Sequence, residues 1–336
     1  MIAGAPEQAR WARPEPRRTL APALVERLVQ AAFPRARVRS IRPLTDGLRN
    51  ANFCLQLDYA PSPLVLRMYE HDASLCQKEI DLMRLVGRAV RVPEIVYARP
   101  HASEDAAPFI LTRYIEGVTF RELARSGDRD ATAQAAYSAG ATLAALSQFT
   151  FDKPGWLGPG LCVLAPLLEG ANPIPRFIDL CLASENLQRR MPADLRERAA
   201  ALVWSAAPEL ATLDREARLV HGDFGKRNLL VRNDGARCSI AGVLDWEFAV
   251  SGSPLADLGH FLRYERSSRP LAEPHFSNGF LHGGGQLPQE WRQLARVVDL
   301  TGLCESLTHD YLPDDVTREL VELIRATVEH REPQLI

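Results

Sequence analysis

Asp223, Asn228 and Asp245 are the residues of this chain whose types and spacing could do chemistry. They fall in one stretch, LVHGDFGKRNLLV, followed after a short turn by IAGVLDWEFAVSGSPLADLG. Asp223 follows an apolar, strand-like run in a turn flanked by Gly222 and Gly225, and Asn228 lies five places on. Asp245 ends the apolar run Ile240 to Leu244, which suits a carboxylate presented at the end of a buried strand. Phosphoryl transfer spreads negative charge over three oxygens, so a protein mostly positions and neutralises it. A carboxylate must stand beside the attacking hydroxyl, and Asp223 is the candidate. Hard oxygen ligands must hold magnesium, which takes few protein ligands and keeps several waters. Asn228 and Asp245 are of that kind.

The spacing His221-x-Asp223-x-x-x-x-Asn228 is that of a kinase catalytic loop. With Asp245, Trp246 and Glu247, and then Gly252, Pro254 and Asp257, the stretch resembles the aminoglycoside phosphotransferase and choline kinase family of small-molecule kinases. Matching pieces run from about Leu44 to Leu262 and are densest at 219–262. The resemblance implies an α+β fold of the two-lobe protein-kinase type, with an antiparallel sheet and a helix in the N-lobe and a mostly helical C-lobe. It makes Asp223 the catalytic base, Asn228 and Asp245 the Mg2+ ligands, and Asp257 a structural carboxylate bracing the loop. One of Lys226 and Arg227 is expected on the transferring phosphate, with the other facing solvent. His221 reads as a structural hydrogen-bonder. Glu247 has the choice of substrate, a second metal or a structural bond.

The elements that must position these residues begin with a loose arm, 1–18. A nucleotide-binding lobe is expected over 19–116 and a catalytic and substrate-binding lobe over 117–336. Ala21 to Phe33 has helical spacing, and Val38 to Leu44 and Phe53 to Leu57 read as strands. The polar turn between them, with Gly47 and Asn50, stands where kinases cover the nucleotide phosphates. Leu64 to Tyr69 is the next strand. It carries Arg67 where kinases carry a lysine, in a chain with only three lysines, Lys78, Lys153 and Lys226. Arg offers a planar fork and Lys a point charge. On the helix Ser74 to Val86, Glu79 is the expected partner of Arg67, and Lys78 is expected to face solvent, about 100° round the helix. Val92 to Tyr97 reads as a strand. Phe109 to Gly117 reads as the strand leading into the hinge, where the backbone of Arg113, Tyr114 and Ile115 would meet the adenine edge.

Beyond Gly117 the pattern turns helical. Ala131 to Phe149, Phe177 to Gln188, Leu195 to Trp204, Trp291 to His309 and Val316 to His330 have helical spacing. Phe151 to Leu161 reads as a loop, rich in Gly and Pro, whose Trp156 either walls a substrate pocket or packs the loop down. Gly283 to Gly285 is a flexible connection.

Composition excludes several classes. At 336 residues and 46% hydrophobic the chain suits two packed lobes. A net charge of −2 offers no case for nucleic acid. The six cysteines are scattered without C-x-x-C, so neither a zinc site nor a disulfide framework is expected, and a reducing cytoplasm is the simple reading. No segment has the run of apolar residues that spans a membrane, and 1–19 lacks the apolar core of a signal peptide. No G-x-S-x-G, G-x-G-x-x-G after a strand, or H-E-x-x-H occurs.

The expectation is an ATP- or GTP-dependent O-phosphotransferase, monomer or homodimer, acting on a hydroxyl of a small polar molecule. An antibiotic leads, an aminoglycoside such as hygromycin or a basic peptide. An acidic pocket for it would draw on Asp179, Glu185, Glu247, Glu265 and Glu305. A metabolic kinase for choline, homoserine or a sugar is the alternative. A nucleotide-binding pseudokinase is the alternative of another class, favoured only by Arg67.

Overall fold

The structure is a computed structural model that describes residues 20–44, 51–58, 60, 62–70, 72–103, 106–235, 237–265 and 272–329. The expected arm at 1–18, and the turn residues Gly47 and Asn50, lie outside the described residues. The chain divides into two compact units. One holds the described residues up to Glu116, together with Gly158–Leu161. The other holds Gly117–Leu157 and the described residues from Cys162 onward.

The first unit is an antiparallel sheet. Its strands are β1 (Val38–Pro43), β2 (Ala51–Leu57), β3 (Leu64–Met68), β4 (Ile95–Arg99) and β5 (Phe109–Arg113), in the order β1-β2-β3-β5-β4. Alternation builds it: Phe53, Leu55 and Leu57 on β2 and Leu64, Leu66 and Met68 on β3 point to one buried face. Helix α1 (Pro22–Gln30) lays Val25, Leu28 and Val29 on the same cluster. Helix α2 (Ser74–Val86) buries Cys76, Ile80, Met83 and Val86. Its Asp81 carboxylate accepts the Gly160 amide at 2.7 Å, which fastens Gly158–Leu161 to this unit. Lys78 corrects the sequence reading, because it is only 5% exposed rather than solvent-facing. Both faces of α2 are covered, so an angular offset from Glu79 does not lead to water.

The second unit opens with β6 (Val118–Thr119) and α3 (Phe120–Ser126). Thr119 caps α3 through the Glu122 amide, and the Glu122 carboxylate returns to the Thr119 amide. Then come α4 (Arg129–Leu146), β7 (Gly155–Leu157), β8 (Val163–Ala165) and four helices, α5 (Pro173–Leu182), α6 (Glu185–Arg190), α7 (Ala193–Ser205) and α8 (Ala207–Leu213). Strands β9 (Arg218–Val220), β10 (Leu229–Asn233), β11 (Cys238–Val243) and β12 (Val250–Gly252) carry the motif stretch. Helices α9 (Leu255–Phe261), α10 (His275–His282), α11 (Trp291–Leu307) and α12 (Asp314–Val328) follow. The strands form two small sheets, β11-β10-β6 and β8-β7-β12-β9.

Two expectations change here. Phe151 to Leu161 is not a plain loop, because Trp156 pairs with Val250 and Ala165 in β7, and Pro159–Leu161 make one 3-10 turn. The pairing partner Val250 lies 94 positions on, beyond the reach of any local signal. The helix expected over Phe177 to Gln188 is two helices, α5 and α6, broken between Leu182 and Glu185.

Helices α4 and α10 touch backbone to backbone. A Cβ on Gly140 would stand 1.9 Å from the Phe276 carbonyl oxygen, and one on Gly279 would stand 2.0 Å from that of Tyr137. Gly140→Ala gains about 1 kcal/mol of helix propensity. Forcing the helices apart costs about 1–3 kcal/mol or more. The urea midpoint is expected to fall on balance; an unchanged or higher midpoint contradicts this packing.

Candidate active site

The site is built by the second unit from β9, the turn after it and the β10–β11 hairpin. Leu219 and Val220 are buried and paired with β12, so the chain leaves β9 from a fixed point. His221 is fully buried. Its Nδ1 accepts the Asp223 amide at 3.2 Å, so Nε2 carries the proton and donates to the Leu244 carbonyl at 3.0 Å. Both ring nitrogens are spent on backbone. Gly222 takes φ +80°, and a Cβ there would meet the Phe248 carbonyl oxygen at 2.4 Å, so only glycine fits the turn.

Asp257, wholly buried at the start of α9, holds the turn from beneath. Its Oδ2 accepts the His221 amide at 2.7 Å and its Oδ1 the Gly222 amide at 3.0 Å. Burial pushes its carboxyl up to about 7 against the pull of those amides.

Asp223 stands at the tip. Its Oδ2 accepts the Asn228 amide group at 2.8 Å, and Asn228 also donates to the Asp223 carbonyl at 3.0 Å. Both bonds use the nitrogen of Asn228, which turns its carbonyl oxygen the other way. The Leu244 amide donates to the backbone carbonyl of Asn228 at 2.8 Å, extending the hairpin and setting Asp245 beside Asn228. Asp245 has φ +65°, a left-handed conformation that aspartate tolerates at a cost and that often marks functional positions. A carboxylate oxygen of Asp245 and one of Glu247 lie within 4.8 Å of each other. Burial, and then the Asp245 charge, hold the Asp223 carboxyl well above the usual carboxylate range, against the Asn228 hydrogen bond. The amide oxygen of Asn228 and the carboxylate of Asp245 are hard donors, and they fit a magnesium ion.

Sequence reasoning missed His260, Arg263 and Asp299. The His260 Nε2 is 3.3 Å from Asp223 Oδ1, and the Arg263 guanidinium is 3.4 Å from His260 Nδ1. Arg263 is itself clasped by the Asp299 carboxylate, at 2.7 Å to Nη2 and 3.0 Å to Nε. A guanidinium only donates, so Nδ1 is the acceptor and Nε2–H faces Asp223. Burial, then the Arg263 charge, pushes His260 down to about 3, and burial pushes His221 down to about 4. The only signal these residues gave was polarity within an apolar helix pattern.

Lys226 points inward, 4% exposed, with its Nζ 2.8 Å from Glu265 Oε1 and over the Phe261 ring. Arg227 is half-buried beside it. In the first unit, Arg67 donates to Glu79 Oε1 at 2.9 Å, and Tyr69 donates to Glu79 Oε2 at 2.8 Å. The Arg113 amide donates to the Glu94 carbonyl and the Tyr114 amide to the Pro63 carbonyl. Among the described residues no hydrogen bond engages the Ile115 amide.

The sequence profile of the phosphotransferase enzyme family matches residues 40–296, and the chain belongs to that family. It has the two-lobe fold of the small-molecule kinases. A thermostable aminoglycoside phosphotransferase crystallised with AMP-PNP and hygromycin B superposes with a TM-score of 0.62 at 21% identity, covering 91% of this chain and 97% of that one. An aminoglycoside 2'-phosphotransferase in complex with GDP gives 0.67 at 17% identity, covering 92% and 98%. Among curated proteins, acyl-CoA dehydrogenase family member 11 of Gallus gallus is 28% identical over 235 residues. The match takes in 67% of this chain and 28% of that protein. The human protein of the same name is 28% identical over 171 residues, 51% of this chain and 20% of that one. The matches take in 20% to 28% of the length of these curated relatives.

Two measurements check this geometry. The His221 and His260 rings are expected to keep the nitrogen shifts of neutral, Nε2-protonated imidazole from pH 7 down to 5. Free histidine takes up a proton near pH 6.5. Folding therefore loses stability from these two rings as pH falls below 6.5. Protonation of either ring by pH 5.5 contradicts their burial. Asp257→Ala strands two buried amides, at about 1–3 kcal/mol each, and is expected to lower the denaturation midpoint accordingly. An unchanged midpoint means Asp257 does not brace the turn.

Proposed function

We propose that the protein transfers the γ-phosphoryl group of a nucleoside triphosphate, ATP or GTP, to a hydroxyl of a small molecule. The observation that carries this reading is the convergence of Asp223, Asn228 and Asp245 on one turn and hairpin. Asp223 orients the acceptor hydroxyl and takes its proton. Asn228 and Asp245 are the magnesium ligands. When bound there, magnesium supplies positive charge to the phosphate oxygens and offsets the Asp245 charge that raises Asp223. Arg67, held by Glu79, is assigned to the donor phosphates, and Gly47 and Asn50 are assigned to the same phosphates from the sequence. The pairing of Arg67 with a buried glutamate supports the kinase reading over a pseudokinase, since it gives Arg67 the partner that a phosphate-binding cation requires. The free backbone donor at Ile115 supports it as the hinge contact for the nucleobase, ahead of Arg113 and Tyr114. Lys226 is paired with Glu265, and one of Lys226 and Arg227 is assigned to the transferring phosphate.

The hygromycin B and kanamycin complexes of similar structures support an antibiotic acceptor by analogy. One observation favours the neutral metabolite instead. Of the carboxylates that would receive a polycation, Asp179 accepts the Trp204 indole, Glu265 holds Lys226, Glu305 meets His309, and Glu247 and Glu305 are buried. The six cysteines form no disulfide with one another, which supports a reducing compartment such as the cytoplasm. Among the described residues no helix is long and apolar enough to cross a membrane.

Asp223→Ala is expected to lower kcat by at least about 100-fold, the usual contribution of a positioned base, with nucleotide affinity within a few-fold of the parent. Turnover within a few-fold of the parent would remove Asp223 from the reaction. Arg67→Ala is expected to raise the KM for the nucleotide; unchanged nucleotide KM and kcat would remove Arg67 from the phosphates.

A further inference from the structure

The second unit encloses a cavity of about 510 Å³, which is the size of a small-molecule site. Its inner wall is apolar and rigid: the cross-strand pair Val220 and Val250, with Ala256 and Val298, all at most 6% exposed. Its outer wall is apolar and half-buried: Trp156 on β7 and Ile174 and Phe177 on α5. Half-buried aromatic and aliphatic side chains around a hollow of this size leave apolar surface for a ligand to cover. The charged lining is confined to one short segment, Asp214, Arg215 and Glu216, where two carboxylates flank one guanidinium. Burial raises both carboxyls above their usual values. None of Asp179, Glu185, Glu247, Glu265 and Glu305 is among the lining residues.

Three of the lining residues are chain neighbours of residues that hold the Asp223 turn. Val220 is three residues before Asp223, about 10 Å of extended backbone. Ala256 is next to Asp257, which braces the turn. Val298 is next to Asp299, which clasps Arg263 and so meets His260 and Asp223.

From this lining and connection we infer that the cavity binds a neutral molecule with an apolar body, a medium alkyl chain or a small ring system, that carries a hydroxyl at one end. Resting on the phosphotransferase reading, that molecule is the acceptor. A polycation finds too little negative charge here, and a small polar solute such as a free sugar leaves the apolar wall bare.

Straight-chain alcohols are the probes. Calorimetry with 1-butanol, 1-hexanol and 1-octanol on the full chain is expected to show saturable binding. The Kd should fall about fourfold per methylene, the ratio that corresponds to about 0.8 kcal/mol per buried CH2. Ile174→Lys places a charge on the half-buried wall and is expected to weaken 1-octanol at least tenfold. Phe177→Ala, milder for folding, is expected to weaken 1-octanol more than 1-butanol. No saturable binding of 1-octanol, an affinity independent of chain length, or indifference to both wall variants overturns the proposal. Nucleotide turnover separates the two readings. Chain-length-dependent binding without phosphoryl transfer to any hydroxylated compound upholds the cavity and defeats the phosphotransferase reading. Phosphorylation of a polycationic antibiotic without 1-octanol binding does the reverse.

Discussion

One buried carboxylate fixes the geometry on which the rest depends. Asp257 has no route to solvent and accepts two consecutive backbone amides, those of His221 and Gly222. Those amides face inward only because the chain turns sharply at Gly222, where the Phe248 carbonyl leaves no room for a side chain. Burying a carboxyl is costly unless it is hydrogen-bonded. The turn and the carboxylate therefore stabilise each other or fail together. Asp223 is presented at the tip as a consequence, and Asn228 is then placed to donate to it.

A second constraint arrives from the far side of the unit. His260 lies three residues beyond Asp257 on the same short helix, so the helix that braces the turn also delivers a ring to Asp223. Arg263 and Asp299 set the tautomer of that ring, since a guanidinium cannot accept a hydrogen bond. Each oxygen of Asp223 thus meets a donor, Asn228 on one and His260 on the other. The Asn228 hydrogen bond, and then the Arg263 charge, favour the ionised form against burial and against the neighbouring Asp245.

What was legible in the sequence was what is local. The Asp223–Asn228 spacing, the strand before Asp245 and the alternation of Phe53, Leu55 and Leu57 are each contained within a few residues, and the structure has them in a turn, a hairpin and a sheet. The kinase-type fold and the family followed from that stretch. What was not legible depends on partners far along the chain. His260, Arg263 and Asp299 acquire meaning only when α9 and α11 pack. The inward side of Lys78 depends on α2 being covered on both faces, and the strand at Trp156 depends on Val250. The acidic residues picked out for a polycationic ligand have ordinary partners in the fold, whereas the cavity is lined by Val220, Val250 and Phe177, which read in sequence as plain core. A cavity leaves no periodic mark, because lining and packing use the same side chains.

Membership of the family leaves the acceptor open, because function lives in the site rather than in the fold. The most direct test follows the phosphorus itself. Phosphorus-31 NMR of the protein with magnesium, ATP or GTP and a panel of neutral hydroxylated compounds with apolar bodies is predicted to show a new phosphate-monoester resonance growing as the γ-phosphate signal declines. Loss of the γ-signal to inorganic phosphate alone, or no change with any donor and acceptor, would contradict the account.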